Sequence, residues 1–322
     1  MIIGSFKLIK IHFMHSIITI TFNPCIDKST SVAALIPEKK LKCASPKFEP
    51  GGGGINVARA IKKLGGDVTA IYLAGGYTGK FFTQLLEKEG INIIGIETAN
   101  HTRENLIVLD ESTNQQYRFG MPGQLQNEKE WQECLEAIDK MKDVEFIVAS
   151  GSLAPGIPMD IFGRIAVIAK KKNAKLVVDT SGEALKQAVE KGVYLLKPNL
   201  GELSSLVGKE EIDIEMVIPV AREIISKGQS EIIVVSMGPA GAMLVTKDES
   251  LHIVPPPVKR KSTVGAGDSM VAGIVLSLAG NKSLKEAVQY GVACGTAAIM
   301  NSGTELCKPA DVDRLYTAIS SV

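Results

Sequence analysis

The stretch Glu49-Pro-Gly-Gly-Gly-Gly-Ile-Asn-Val-Ala-Arg59 follows an extended run and opens an amphipathic one. Four consecutive glycines let a backbone come close to a polar ligand, and the helix end beyond them favours an anion. The stretch fails both common nucleotide fingerprints. After Gly51 and Gly53 the third glycine of a Rossmann turn is replaced by Asn56, and no Lys-Ser/Thr pair ends it as in a Walker A loop. Asn56, just inside the helix, suits hydrogen bonds to sugar hydroxyls, and Gly52 and Gly53 suit close approach. The same residues also suit a plain flexible loop before a helix.

Outward from this point, apolar runs alternate with amphipathic stretches. Strands are predicted at Ile17–Phe22, Val68–Ala74, Phe146–Ala149, Leu176–Asp179, Tyr194–Lys197 and Ile232–Ser236. They are apolar almost throughout, as strands covered on both faces must be. Helices are predicted at Ile55–Leu64, Gly79–Lys88, Glu128–Met141, Met159–Lys172 and Glu215–Lys227, and the chain beyond Gly267 reads as mostly helical. The alternation implies an α/β fold, a doubly wound and mainly parallel sheet flanked by helices. Two segments break the rhythm: Thr30–Leu35 with Leu41–Phe48, and Asn105–Phe119 around Asp110-Glu-Ser-Thr-Asn114. Both read as antiparallel hairpins, either a small β lid over the sheet's carboxyl edge or ordinary surface hairpins.

Composition narrows the function. The 36 basic and 35 acidic residues leave a net charge of +1, which excludes nucleic-acid binding by bulk electrostatics. Five cysteines form no Cys-x-x-Cys pair and the four histidines no i, i+4 pair, so neither a disulfide framework nor a zinc site is expected. No run of eighteen apolar residues occurs, so no membrane helix is expected and the cytoplasm is the expected compartment. Met14, directly before the first clean strand, reads as the natural start, with one domain over 16–322 and residues 1–15 an extension. A length of 322 residues against about 150 per domain also allows two domains, but no linker divides this chain.

Three more clusters follow predicted strands. In Ser262-Thr-Val-Gly-Ala-Gly-Asp-Ser-Met270, the amides of Gly265, Ala266 and Gly267 suit charge developing on a transferring phosphoryl group. Asp268 beside them can take a proton from an attacking hydroxyl, or simply favour the helix's first turn. In Lys197-Pro-Asn-Leu-Gly-Glu202, Asn199 and Glu202 can face Mg²⁺ or its waters, or form a capping box. Ser236-Met-Gly-Pro-Ala-Gly241 suits nucleotide phosphates or a hairpin turn. Asp27 after the first strand suits hydroxyls or a turn cap, and Arg103 suits a phosphate or a salt bridge.

Taken together, Gly51–Arg59 and Thr263–Met270 resemble the two signature segments of the PfkB, or ribokinase-like, carbohydrate kinases, and Lys197–Glu202 resembles their Asn-x-x-Glu magnesium motif. The likeness runs in order from about residue 16 to 322. Within the family, Phe48–Ala60, Pro255–Val258 and Ser262–Val271 are most similar to the bacterial minor 6-phosphofructokinases. The resemblance implies MgATP-dependent phosphorylation of fructose 6-phosphate at its 1-hydroxyl. The sister reading is the same chemistry on fructose 1-phosphate or tagatose 6-phosphate, whose kinases typically carry a lysine where Gly53 stands.

The resemblance also implies roles. Asp268 is then the base, with Gly265, Ala266 and Gly267 as the anion hole. Asp27, Gly52, Gly53, Asn56, Arg103 and Ser152 would hold the sugar phosphate. Lys197, Asn199, Ser236, Gly238 and Gly241 would line the ATP phosphates, with Val292 and Thr296 near the adenine. Glu202 would organise Mg²⁺ through water, and Ser262, Val264, Ala298, Asn301 and Gly303 would surround a K⁺. The lid, about 28–48 and 105–119, would pair across a homodimer, with Lys40 reaching ligands. Lys42, Arg260 and Glu305 depart from the family pattern, Lys42 losing the planar fork of an arginine. A non-catalytic sensor would lack the base and the anion-hole glycines, and a dinucleotide oxidoreductase would need the Gly-x-Gly-x-x-Gly fingerprint.

Overall fold

The computed structural model describes residues 16–301 and 303–321, and the N-terminal extension read from the sequence lies outside them. Strand β1 (Ser16–Thr21) leads to β2 (Cys25–Val32) and β3 (Lys47–Gly51), which runs directly into α1 (Gly53–Lys63). There follow β4 (Thr69–Gly75), α2 (Gly76–Lys88), β5 (Asn92–Thr98), β6 (Arg103–Asp110) and β7 (Gln115–Phe119). The middle of the chain gives α3 (Glu128–Lys140), β8 (Val144–Ser150), α4 (Ile161–Lys172), β9 (Lys175–Asp179), α5 (Gly182–Glu190) and β10 (Val193–Leu196). Next come α6 (Leu200–Leu206), α7 (Ile214–Ser226), β11 (Ser230–Ser236), β12 (Ala242–Val245) and β13 (Ser250–Ile253). Helices α8 (Ala266–Ala279), α9 (Leu284–Ile299) and α10 (Pro309–Ser320) close the fold.

The main sheet has nine strands in the order β13-β12-β11-β10-β9-β8-β1-β4-β5. Its pairs are parallel from β11 through to β5, and β12 and β13 add an antiparallel edge. Side chains alternate between two cores. Phe146 and Val148 of β8 and Ile232 and Val234 of β11 pack on the side of α1, α2, α8, α9 and α10. Ile147 and Ala149, and Ile233 and Val235, pack on the side of α3, α4, α5 and α7. Both faces being covered is what makes these strands continuously apolar. Chain progression leaves β1 toward β4 and β5 on one side and resumes at β8 on the other. A crevice therefore opens at the carboxyl ends of β1 and β8.

The second sheet has the order β3-β2-β6-β7. Its two antiparallel hairpins are the ones expected, and they are joined by a parallel β2–β6 ladder running from Cys25↔Arg103 to Val32↔Asp110. The strands of the first hairpin lie at Cys25–Val32 and Lys47–Gly51, not at Thr30–Leu35 and Leu41–Phe48. Pro37 and Pro46 cannot donate to a ladder, and Glu38 has φ 58°, so residues 33–46 form an irregular connection. The small sheet packs on the helices through Phe48, whose ring meets Phe81 of α2 edge-on at 5.4 Å. Strands β5, β12 and β13 and helix α5 were not among the expected elements. They are short or half-exposed, and their pattern in the sequence is correspondingly weak.

Candidate active site

The crevice is lined by segments leaving β1, β3, β8, β9, β10 and β11, together with the amino end of α8. Gly265, with φ 69°, precedes that helix, and Asp268 lies in its first turn. Asn56 of α1 donates from Nδ2 to Asp268 Oδ2 at 2.9 Å. Burial first, and the neighbouring charge of Asp179 second, push the Asp268 pKa up to about 7, against the pull of Asn56 and Lys197. A carboxyl poised there can accept a proton near neutral pH.

Lys197, at the end of β10, is 4% exposed and pairs with Asp179 Oδ1 at 3.1 Å. Burial opposes its charge, but Asp179, aided by Glu202 and Asp268, holds its pKa above the ordinary lysine value. A Cβ on Gly267 would stand 3.5 Å from Lys197 Nζ, so the ammonium lies directly beside the first turn of α8. Asp179 was not among the residues singled out. Its signal is its place as the last residue of an apolar strand, at the sheet's carboxyl edge.

Asn199 and Glu202 form the capping box at the head of α6, with both reciprocal bonds at 2.8 Å. The bond occupies Glu202 Oε2, and the carboxyl still faces the site. Its pKa is raised by burial and by Asp179, against the Asn199 amide and Lys197. Two carboxylates beside one ammonium leave an excess of negative charge that suits a hydrated Mg²⁺. Among the described residues there is no group of three His, Cys, Asp or Glu that could hold a metal ion.

Ser236 ends β11 next to Asn199, bridged to it and donating its amide to Pro198 O at 2.9 Å. Gly238–Ala240 is a single 3₁₀ turn between antiparallel β11 and β12, so this segment is a hairpin turn at the crevice edge. Gly238 has φ 59° with open space around its Cα, whereas a Cβ on Gly241 would collide with Ile253 O.

The opposite side of the crevice is assembled from both sheets. Asp27 of β2 accepts from Asn105 Nδ2 at 2.9 Å, the two being partners in the β2–β6 ladder. Among the described residues Arg103 is in no salt bridge. Its guanidinium donates to Asn23 O and Met121 O at 3.0 Å each, and its buried Nε has no partner. Asn105 Oδ1 accepts from the Met121 amide, so Asn105 joins the Asp27 and Arg103 neighbourhoods. Asn23 Nδ2 reaches Ser152 Oγ at 3.1 Å across the crevice. Asn23 and Asn105 were missed in the sequence because their roles depend on strand register.

Close packing, not only ligand access, accounts for the glycine run. A Cβ on Gly51 would stand 2.5 Å from Asp27 Oδ2, and one on Gly53 would overlap Ser150 Oγ and the Gly151 amide. Gly54 would likewise strike Ile20 O. Gly52 takes φ 114°, which only glycine adopts readily. The run sets α1 against the ends of β1 and β8.

Lys40 stands exposed on the 33–46 connection. Val292 and Thr296 are buried on α9, the Thr296 hydroxyl turned back to Val292 O. Behind the α8 end, Ser262 Oγ donates to Gly303 O at 2.8 Å and accepts from the Val264 amide at 3.2 Å. Asn301 Nδ2 donates to Leu306 O, and its amide to Ala298 O. Ser262 is thus bonded to Val264 and Gly303, and Asn301 to Ala298 and Leu306, in adjoining segments whose oxygens are neutral and hard, a donor set that fits an alkali cation.

Among the described residues the five cysteines are free and no helix is long and apolar enough to cross a membrane. A family model for pfkB family carbohydrate kinases matches residues 17–311. The chain is 45% identical over 308 residues to the ATP-dependent 6-phosphofructokinase isozyme 2 of Escherichia coli (strain K12), covering 95% of this chain and all of that one. It is 31% identical to the 1-phosphofructokinase of Bacillus subtilis (strain 168), covering 90% of this chain and 95% of the relative. The crystal structure of Escherichia coli phosphofructokinase-2 in complex with potassium superposes with a TM-score of 0.92 at 45% identity, covering 95% of this chain and 100% of the other. With three signature loops meeting in one crevice and a match along nearly its whole length, the chain belongs to the pfkB family of carbohydrate kinases.

Proposed function

We propose that the enzyme transfers the γ-phosphoryl group of ATP to the 1-hydroxyl of fructose 6-phosphate. The observation that carries this is Asp268, its pKa pushed up to about 7, set at the amino end of α8 and hydrogen-bonded to Asn56. The C1 oxygen attacks phosphorus while Asp268 takes its proton, and the bond from phosphorus to the β–γ bridging oxygen breaks to release ADP. The amides of Gly265, Ala266 and Gly267 face the charge that develops on the phosphoryl oxygens.

Asp27, Gly52, Gly53, Asn56, Arg103 and Ser152 hold the sugar phosphate. Lys197, Asn199, Ser236, Gly238 and Gly241 line the ATP phosphates, with the adenine toward α9. Glu202, with Asp179 beside it, would hold Mg²⁺ through water, and that ion would neutralise the nucleotide's phosphate charge. Ser262, Val264, Ala298, Asn301 and Gly303 would hold K⁺. Fructose 6-phosphate is favoured over fructose 1-phosphate because Gly53 carries no lysine, and because identity is higher to a 6-phosphofructokinase than to a 1-phosphofructokinase.

The small sheet serves as the lid of a single domain. Strand β7 is exposed along its whole length, and Tyr117, Phe119 and Met121 present apolar surface there. This surface suits a second copy of the chain, with Lys40 carried close to the ligands. The cytoplasm, which holds the substrates, is the place of action.

A coupled assay with ATP over fructose 6-phosphate, fructose 1-phosphate and tagatose 6-phosphate, with and without K⁺, tests the reading. The highest kcat/KM is expected for fructose 6-phosphate, and a preference for fructose 1-phosphate overturns the choice of substrate.

A further inference from the structure

Glu49 of β3 lies outside the crevice, yet it is one of the most heavily bonded carboxylates in the molecule. It is 6% exposed. One oxygen, Oε2, accepts from the Thr304 hydroxyl at 2.6 Å, across 255 residues of sequence. The other, Oε1, faces Arg59 Nη2 at 3.3 Å and Lys47 Nζ at 3.2 Å. Arg59, 2% exposed, is itself fixed by both oxygens of Glu89 at 2.9 Å and by Pro50 O at 2.8 Å. The Glu49 carboxylate is thus anchored on α1 and β3 before it reaches Thr304.

From Thr304 the contacts run to the head of α8. Gly303, the preceding residue, accepts the Ser262 hydroxyl at 2.8 Å, and that same hydroxyl accepts the Val264 amide at 3.2 Å. Leu306, two residues beyond Thr304, backs the helix end. A Cβ on Gly265 would stand 2.5 Å from Leu306 Cδ2. Asn301 Nδ2 donates to Leu306 O at 3.0 Å, tying the segment Gly303–Leu306 back to the end of α9. That loop therefore forms the floor under the segment 262–267, whose amides must aim at the transferring phosphoryl group.

We propose that Glu49 and Thr304 are positioning residues for the anion hole, their buried hydrogen bond fixing the segment Gly303–Leu306 and, through it, the Gly265–Gly267 amides. This rests on the kinase reading above. Preorganised donors are effective only when held to within about half an ångström, so a loop free to shift weakens them. The loss should appear in the transition state, and hence in kcat, rather than in ground-state binding of either substrate.

Thr304→Val keeps the shape and removes the hydroxyl, and Arg59 and Lys47 remain to balance Glu49. At a temperature well below its Tm, this variant is expected to lose roughly 10- to 100-fold in kcat, with KM for ATP and for fructose 6-phosphate within about threefold of wild type. Thr304→Ser restores the donor and is expected to recover most of kcat. A folded Thr304→Val with kcat within twofold of wild type overturns the proposal. So does equal loss in the valine and serine variants, or a loss confined to Tm. Wild-type protein without ATP-dependent phosphorylation of any sugar phosphate would instead overturn the underlying kinase reading, so the two failures are told apart.

Discussion

Asn56 and Asp268 lie 212 residues apart in sequence and meet at 2.9 Å, Nδ2 to Oδ2. The contact ties the amino end of α1 to that of α8, and these ends carry the two glycine-rich loops. It leaves one Asp268 oxygen for a hydroxyl proton, and it opposes the burial that raises that carboxyl's pKa.

Replacing Asp268 with Asn keeps the shape of the side chain and removes the base. Turnover is expected to fall roughly 10²- to 10⁴-fold while ATP still binds with near-normal affinity by titration calorimetry. Near-normal turnover would remove Asp268 from the mechanism. The same variant also removes an unfavourable buried charge, so the ligand-free protein should melt above wild type at pH 8.

The pH dependence follows from the same group. Its pKa is pushed from 3.8 up to about 7, so kcat/KM for the sugar should rise with pH to a midpoint near 7. Stability moves the other way. The folded state holds the proton more tightly, so the contribution of Asp268 is full below about pH 4 and is lost as pH rises to about 7. Denaturant unfolding of wild type and Asp268→Asn across this range should show the difference between them grow with pH.

Asp179 raises the pKa of Asp268 and holds Lys197 charged, so its removal should act on both. In Asp179→Asn the midpoint of the pH–rate profile is expected to shift to the acid side. The buried Lys197 ammonium loses its partner, and stability should fall by about 3 kcal/mol or more. An unmoved midpoint would show that burial alone sets the Asp268 pKa.

Crowding at Gly53 predicts a different result from an open glycine. Gly53→Ala drives a methyl into Ser150 Oγ and the Gly151 backbone, and should cost about 1–3 kcal/mol along with most of the activity. Gly120→Ala meets nothing within 4 Å and should change stability by less than about 0.5 kcal/mol. Chemical denaturation of the pair checks both values.

Phe119, 47% exposed on β7, tests the proposed lid interface. Phe119→Asp should leave the main sheet folded by circular dichroism while shifting sedimentation from dimer to monomer. Wild-type protein that sediments as a monomer would remove the interface altogether.

Local sequence was enough to determine six of the nine strands of the main sheet, β1, β4, β8, β9, β10 and β11. Ile17–Phe22, Leu176–Asp179 and Ile232–Ser236 are apolar almost throughout because both faces are covered, and that pattern survives in one dimension. The glycine loops were legible because glycine is required wherever backbone meets backbone, as Gly53 meets Gly151. The capping box of Asn199 and Glu202 was legible because its two residues stand only three positions apart.

Tertiary structure alone decided what those residues touch. The partnership of Asp27 with Asn105 depends on a parallel ladder between two hairpins, and nothing local encodes its register. The pairing of Asp179 with Lys197 depends on the order of neighbouring strands. The raised pKa of Asp268 arises from burial and charge contributed by distant segments, and the bond from Thr304 to Glu49 closes across most of the chain. Sequence specifies which groups each strand end carries. Only the folded sheet sets the distances between them, and those distances fix their charge and their chemistry.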